Sequence, residues 1–284
     1  MKINEHEFME GPAALPFDLT VWKNPASLTE APLPKKPASL NEFLNNLPDL
    51  ICLSHLRWDL VYRRPQHLLT RFARHARIFY IEEPVFYANA KPHFNLTTRG
   101  ENITVLVAHL PVHLSPEQAA TIQQELLDSF LAEQGVTRFM LWYYTPVALE
   151  ITRHLKPELT IYDCMDEPAA SYPAPRLREL EIELFKKADV IFTGGRSLYE
   201  AKKSIHPEVY AFPSSIDFSH FAAAREYLPE PEDQQQIPFP RLGFFGVIDE
   251  RFDAELLGEL ATARPDWQFV IIGPVVNRAP ETLP

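Results

Sequence analysis

Glycine is scarce in this chain, nine among 284 residues, and cysteine scarcer still at two. Positive charge is short as well, with 27 Lys and Arg against 38 Asp and Glu. Each shortage excludes something. Cys52 and Cys164 sit singly inside apolar, strand-like runs. They read as reduced core residues of a cytoplasmic protein, not as a disulfide framework or a metal site. A formal net charge of −11 disfavours general nucleic-acid binding, which needs a basic surface to displace phosphate counterions. No apolar run approaches the roughly 20 residues of a transmembrane helix. The start, Met1-Lys-Ile-Asn-Glu-His-Glu, has no apolar signal core. A dinucleotide-binding turn is missing too, because the first strand-like run is followed by Ser-His-Leu-Arg-Trp and not by Gly-x-Gly-x-x-Gly. That weakens a dehydrogenase reading.

What is present is the text of an α/β protein. The apolar fraction of 46% and charged fraction of 23% are those of a soluble globular chain. Residues 1–47 carry Pro12, Pro16, Pro25, Pro32, Pro34 and Pro37 with little periodicity and read as a tail or linker. From Leu50 onward short apolar runs alternate with helical patterns. Strands are expected at 50–54, 77–81, 103–107, 139–144, 159–163, 190–193 and 209–212. Helices are expected at 65–75, from Ser115 toward Gln134, and at 146–155, 176–187 and 196–205. Ser115 with Gln118 has the spacing of a capping box. Near-continuous apolar strands separated by helices imply a Rossmann-like parallel sheet covered on both faces. This domain is placed at 48–215, a crossover at 216–239, and the start of a second Rossmann-like domain at 240–284. In that last segment Arg241-Leu-Gly-Phe-Phe-Gly246 and Trp267-Gln-Phe-Val-Ile-Ile-Gly273 are two further strands.

In such sheets ligands bind beyond the carboxyl ends of the strands, so the polar residues there are the candidates. After the first strand come His55, Arg57, Trp58 and Asp59, then Arg64 and Gln66. Aromatic planes beside bidentate donors suit a sugar or a phosphorylated group. The plainer alternative is a helix cap with an Arg57–Asp59 pair and a buried Trp58. Asp163, Asp166 and Glu167 crowd the end of another strand. Crowded carboxylates raise the pKa of at least one, preparing it to accept a proton. Strand alternation points Asp163 and Asp166 differently, so one of them is expected to face the cleft. Gly194 and Gly195 before a helix, and Gly246 with Arg251, are anion-cradle candidates. Arg251 pairing simply with Asp249 or Asp253 is the alternative there. On the helix at 65–75 the apolar arc Leu68, Leu69, Phe72, Ala73 and Ala76 opposes Arg63, Arg64, His67, Arg71, Arg74 and Arg77. That pattern suits either a core-packed helix with a solvated basic side or a helix resting on an anionic membrane.

Phe212-Pro-Ser-Ser-Ile-Asp217, followed by Phe218-Ser-His-Phe221, resembles the Pro-Asn-Gly-Val-Asp-x-x-x-Phe crossover of GT-B glycosyltransferases, close to glycosyltransferase family 4. Trp58-Asp59, Arg64-Pro-Gln-His-Leu68, Tyr162-Asp-Cys-Met-Asp-Glu167 and Thr193-Gly-Gly-Arg-Ser-Leu198 together look like bacterial members of cell-surface polysaccharide assembly. The similarity spans roughly residues 50–275, with Ser214-Ser215 in place of the usual Asn-Gly and Pro168-Ala-Ala-Ser-Tyr172 where relatives carry a Leu-Ser-x-Phe-like run.

The resemblance implies a nucleotide-sugar donor, no cofactor and no metal, and a glycan or lipid-linked acceptor. It also implies a cytoplasmic site, at the inner face of the membrane if a peripheral contact exists. Asp166 is the position onto which the family's base is carried, with His55 the second candidate and Asp163 the third. Arg57, Trp58, Asp59, Arg64, Gln66 and Glu167 are expected on the acceptor side, and Gly194, Gly195, Gly246 and Arg251 on the donor side. Relatives continue further, with the nucleotide pocket and a donor-side acidic pair. The chain is therefore expected to represent the acceptor domain and the opening unit of the donor domain, inactive alone, with retention or inversion unassigned. A non-catalytic glycan- or partner-binding module is the competing reading.

Overall fold

The computed structural model describes residues 44–89, 91–166 and 174–276. The chain divides between Ser214 and Ser215 into two compact units. The first is built on an eight-stranded sheet. Its strands are β1 (Asp49–Ser54), β2 (Ile78–Tyr87), β3 (His93–Thr98), β4 (Ile103–Pro111), β5 (Phe139–Tyr143), β6 (Leu159–Cys164), β7 (Val190–Thr193) and β8 (Val209–Ala211). Their spatial order is β3-β4-β2-β1-β5-β6-β7-β8. All neighbouring pairs are parallel except β3 with β4. The helices are α1 (Arg64–Phe72), α2 (Pro116–Glu133), α3 (Leu149–Thr152), α4 (Ala174–Lys187) and α5 (Arg196–Lys202).

Period-2 alternation sends β1 residues to opposite faces, and both faces are dry. Ile51 and Leu53 join Phe79, Leu141, Tyr143, Leu127, Phe130 and Leu184 in one core cluster under α2 and α4. Leu50 and Cys52 join Tyr80, Trp142, Leu69 and Ala73 in another under α1. That explains why the strand text is almost continuously apolar. Ser115 caps α2 as its spacing predicts: its side chain accepts the Gln118 N–H, and the Gln118 side chain returns to the Ser115 N–H at 2.9 Å.

Two expectations change. The strand at β2 runs on to Tyr87, and β3 is an unexpected antiparallel edge strand joined to β4 by a tight hairpin. Gly100 and Asn102 hold positive φ in that turn, at 73° and 60°, which only such residues adopt readily. A hairpin reverses direction without a helix, so an edge strand added this way is antiparallel. The helix expected at 146–155 is a 3-10 turn at Pro146–Ala148 followed by the single turn of α3.

The second unit contains α6 (Phe218–Ala222), β9 (Arg241–Phe245), α7 (Ala254–Ala263) and β10 (Gln268–Ile272). β9 and β10 pair in parallel as a separate sheet. Gly246 and Gly273 close the carboxyl end of that pair with φ of 153° and 155°. A Cβ on Gly273 would lie 1.7 Å from the Gly246 carbonyl oxygen. Gly273→Ala should therefore destabilise this pair by more than the roughly 1–3 kcal/mol of ordinary overpacking. Amide exchange over Arg241–Phe245 and Gln268–Ile272 should speed up while β1 and β5 stay protected. Unchanged protection of β9 and β10 would refute the contact.

Candidate functional site

Strand order places a topological switch point between β1 and β5: the chain leaves β1 toward β2 on one side and returns to β5 on the other. In sheets of this kind the loops diverge at such a point, and ligands bind beyond the carboxyl edge there. The residues that end β1, β2, β5, β6 and β7 are the ones to inspect.

The loop after β1 is held from below. Glu82, buried midway along β2 and opposite Ser54 at the end of β1, accepts the Trp58 backbone N–H at 2.7 Å and the Arg57 guanidinium at 2.8 Å. Trp58 is buried edge-on against Tyr80, with ring centroids 5.0 Å apart. The buried Gln66 amide donates to the carbonyls of Trp58 at 2.7 Å and Val61 at 3.0 Å, and its oxygen accepts the Arg63 N–H at 2.9 Å. Asp59 pairs with Arg99 through two contacts of 2.8 and 2.6 Å. The Arg57–Asp59 pair of the plainer alternative thus does not form; each has a different partner. Trp58 packs into the core and the Gln66 amide holds the loop from within, whereas Arg57 keeps a partly exposed guanidinium.

The buried anchor of the edge is Asp163. It is 0% exposed, and its Oδ2 accepts the Arg64 Nε–H at 2.9 Å. Arg64 reaches it from the start of α1 and also donates to the Phe212 carbonyl, joining α1, β6 and the end of β8. Burial pushes the Asp163 carboxyl above its ordinary range, and the Arg64 charge opposes that shift without cancelling it. Trp142 and Tyr144 lie close enough to favour its ionised form. Even so, Trp142 Nε1, Tyr144 OH and Asp163 Oδ1 are all buried without a hydrogen-bond partner of ordinary geometry among the described residues. The same burial, followed by the Asp163 charge, pushes the Cys52 thiol up.

Asp166 behaves differently. It is exposed, three residues further on. Its backbone carbonyl lies 3.4 Å from the Cys164 sulfur, which leaves the carboxylate outside the core. His55, exposed at the end of β1, belongs to the same neighbourhood. Desolvation holds the imidazole below its usual pKa, the Glu83 and Asp166 carboxylates and the Tyr144 backbone pull it upward, and Arg63 lowers it further. Asp166, His55 and Glu83 therefore converge in one electrostatic field at the carboxyl edge. The sequence reading missed Glu82 and Glu83. Their signal was the same one that singled out Asp163 and Asp166, carboxylates directly after an apolar strand. Glu167 lies outside the described residues.

Gly194 has a packing role. Its N–H donates to the Cys164 carbonyl at 2.9 Å, and a Cβ there would stand 2.5 Å from the Met165 carbonyl oxygen. Gly195 is unobstructed and forms the N-cap of α5. In the second unit the Gly246 N–H donates to the Ile272 carbonyl at 3.0 Å and the Ile248 N–H to the Pro274 carbonyl at 2.9 Å. Asp253 caps α7 through the Leu256 N–H at 2.9 Å. The Arg251 guanidinium meets Asp249 at 2.5–3.2 Å, as its alternative reading has it, yet its side chain is 77% exposed. The described residues hold no group of three His, Cys, Asp or Glu side chains arranged for a metal ion.

No protein-family model matches the chain. A Bacillus subtilis (strain 168) protein named "Putative teichuronic acid biosynthesis glycosyltransferase TuaH" is 26% identical over 164 residues, covering 52% of this chain and 41% of that protein. Among solved structures, trehalose-6-phosphate from E. coli bound with UDP-2-fluoro glucose superposes with a TM-score of 0.55 at 12% identity. It matches 80% of this chain and 65% of its own length. A trehalose-6-phosphate synthase studied with bisubstrate glycomimetics matches 80% of this chain and 64% of its own, with a TM-score of 0.51 at 12% identity. The chain thus spans about two fifths of the curated relative and somewhat under two thirds of these structures. At such identity the likeness is one of fold, and the fold is of GT-B glycosyltransferase type.

Proposed function

We propose that this GT-B-type chain serves a glycosyltransferase that moves a hexosyl group from a nucleotide sugar to a glycan or lipid-linked acceptor in cell-surface polysaccharide synthesis, on the cytoplasmic side. The observation that carries the proposal is the exposed Asp166 beside His55 and Glu83, at the carboxyl edge of a sheet with a β1/β5 switch point. Asp166 accepts the proton of the acceptor hydroxyl as that oxygen attacks the anomeric carbon, and the nucleoside diphosphate departs. The His55 imidazole, held neutral by its surroundings, is the second candidate for that proton. Asp163 is a positioning residue: buried under Arg64, it fixes the start of α1 and with it the acceptor-side loop. On the donor side the exposed guanidinium of Arg251 is the group offered to the diphosphate. The named similarity to the teichuronic acid protein supports the polysaccharide context.

A non-catalytic glycan-binding module is the second reading. It draws support from the donor-side loop, where the N–H groups of Gly246 and Ile248 already have carbonyl partners. Thermal unfolding of the protein that carries this chain, against nucleoside diphosphates, nucleotide sugars and free glycans, separates the two. Selective stabilisation by one nucleotide class is expected, about 2.7 kcal/mol at a hundredfold excess over Kd. Stabilisation by glycans alone would remove the transferase reading.

A further inference from the structure

One edge of the eight-stranded sheet is guarded and the other is not. A strand edge offers unpaired N–H and C=O groups, which proteins blunt with short strands, prolines or charges. At one edge β8 has only the three residues Val209–Ala211, set between Pro207 and Pro213. At the other edge β3 runs from His93 to Thr98 with no Lys, Arg, Asp, Glu or Pro among its six residues. Its inner side is paired with β4. Among the described residues no strand pairs with its outer side.

The middle of this edge is apolar. Phe94 and Leu96 share one face of the strand, opposite Ala108 and Leu106 of β4, which are both 0% exposed. Phe94 packs edge-on against Phe130 of α2, with centroids 6.2 Å apart. Leu96 has a buried neighbour on one side and no strand on the other, and it stays 48% exposed.

Charge at the two ends selects the occupant. Lys91 precedes the strand and Glu101 sits in the turn after it; both are exposed, and neither has an ion-pair partner among the described residues. Arg99, near the same turn, is neutralised by Asp59 at 2.6 Å. A strand that is neutral along its length, with opposite charges at its ends, complements its own antiparallel copy. A two-fold axis through Leu96 sets that residue against its counterpart, Phe94 against Thr98 and Asn95 against Thr97, each pair on one face. It also brings Lys91 of each copy to the Glu101 turn of the other. A parallel arrangement would set like charges together, which is unfavourable.

We propose that β3 is a self-pairing edge, through which two copies of this chain join antiparallel and continue one sheet across a two-fold dimer. The proposal does not depend on the transferase reading, and its test involves no sugar transfer. The test is the solution mass of the whole chain by sedimentation over a dilution series. The parent should sediment as a dimer that dissociates on dilution. Leu96→Lys sets two like charges on the axis in place of two leucines and should raise the dimer dissociation constant about a hundredfold. Lys91→Glu alone should weaken the dimer by placing acids together at both ends, and adding Glu101→Lys should restore it. Leu96→Cys should cross-link to a disulfide dimer under mild oxidation, because counterparts on the axis lie at cross-strand distance. Cys52 and Cys164 are buried and should not compete. These positions are exposed, so melting temperatures measured above the dissociation range should report only the lost dimer. A chain that stays monomeric at every concentration, as it would with any other strand on this edge, overturns the assignment. So does a dimer indifferent to Leu96→Lys and to the charge exchange, or one in which Leu96→Cys fails to cross-link.

Discussion

Asp166→Asn should lower sugar transfer by the protein that carries this chain by about 10²–10⁴-fold, the range that a positioned general base supplies. Asparagine keeps the size and hydrogen-bonding reach of the carboxylate but cannot take a proton at neutral pH. Asp166 is exposed, and only its backbone carbonyl meets Cys164. The melting temperature should therefore change little, as for most surface substitutions. The loss should fall on kcat more than on KM, since the proton moves in the chemical step and not on binding. His55→Gln is the companion measurement. If Asp166→Asn turns over normally and His55→Gln does not, the imidazole is the base. If both turn over normally, the carboxyl edge of β1 and β6 is not where the acceptor is deprotonated.

Arg64→Met should destabilise the first unit by about 3–5 kcal/mol near neutral pH, because it leaves the buried Asp163 carboxylate without its counter-charge. The two atoms are 2.9 Å apart and Asp163 is fully covered, so water cannot stand in for the guanidinium. The pH dependence has a definite sign. The folded-state pKa of Asp163 is raised by burial, so the native state binds its proton more readily than the unfolded chain. Stability from this group therefore increases as pH falls from above the folded value toward the unfolded value. Removing Arg64 takes away the main influence that lowers that pKa, so the acid rescue begins at a higher pH in the variant. Urea melts of parent and R64M across mildly acidic to neutral pH should show the deficit shrinking on the acid side. Adding Asp163→Leu to R64M should recover much of the loss, since two buried charges are then replaced together. A deficit independent of pH, with no recovery in the double variant, would show that Arg64 acts through packing alone.

Local signals account for what was legible without coordinates. Ser115 and Gln118 lie three residues apart and cap α2 as their spacing demands. Val190–Thr193 is a strand at the bounds its apolar run suggests. Asp163 is buried and Asp166 exposed, but the strand ends at Cys164, so strand alternation does not reach Asp166 and the difference follows from where the strand stops. Arg57 illustrates the opposite case. Asp59 is its near neighbour in sequence, yet Glu82, 25 residues away, holds it, because β1 and β2 are adjacent in the sheet with Ser54 opposite Glu82.

From its order of residues alone this protein was determined to be a mostly parallel α/β sheet with acids at its strand ends, because periodicity and capping act over a few residues at a time. Tertiary structure alone decided which charges meet. Arg64 finds Asp163 across 99 positions because the strand order β2-β1-β5-β6, and not chain proximity, sets the distances over which ions attract and water is excluded.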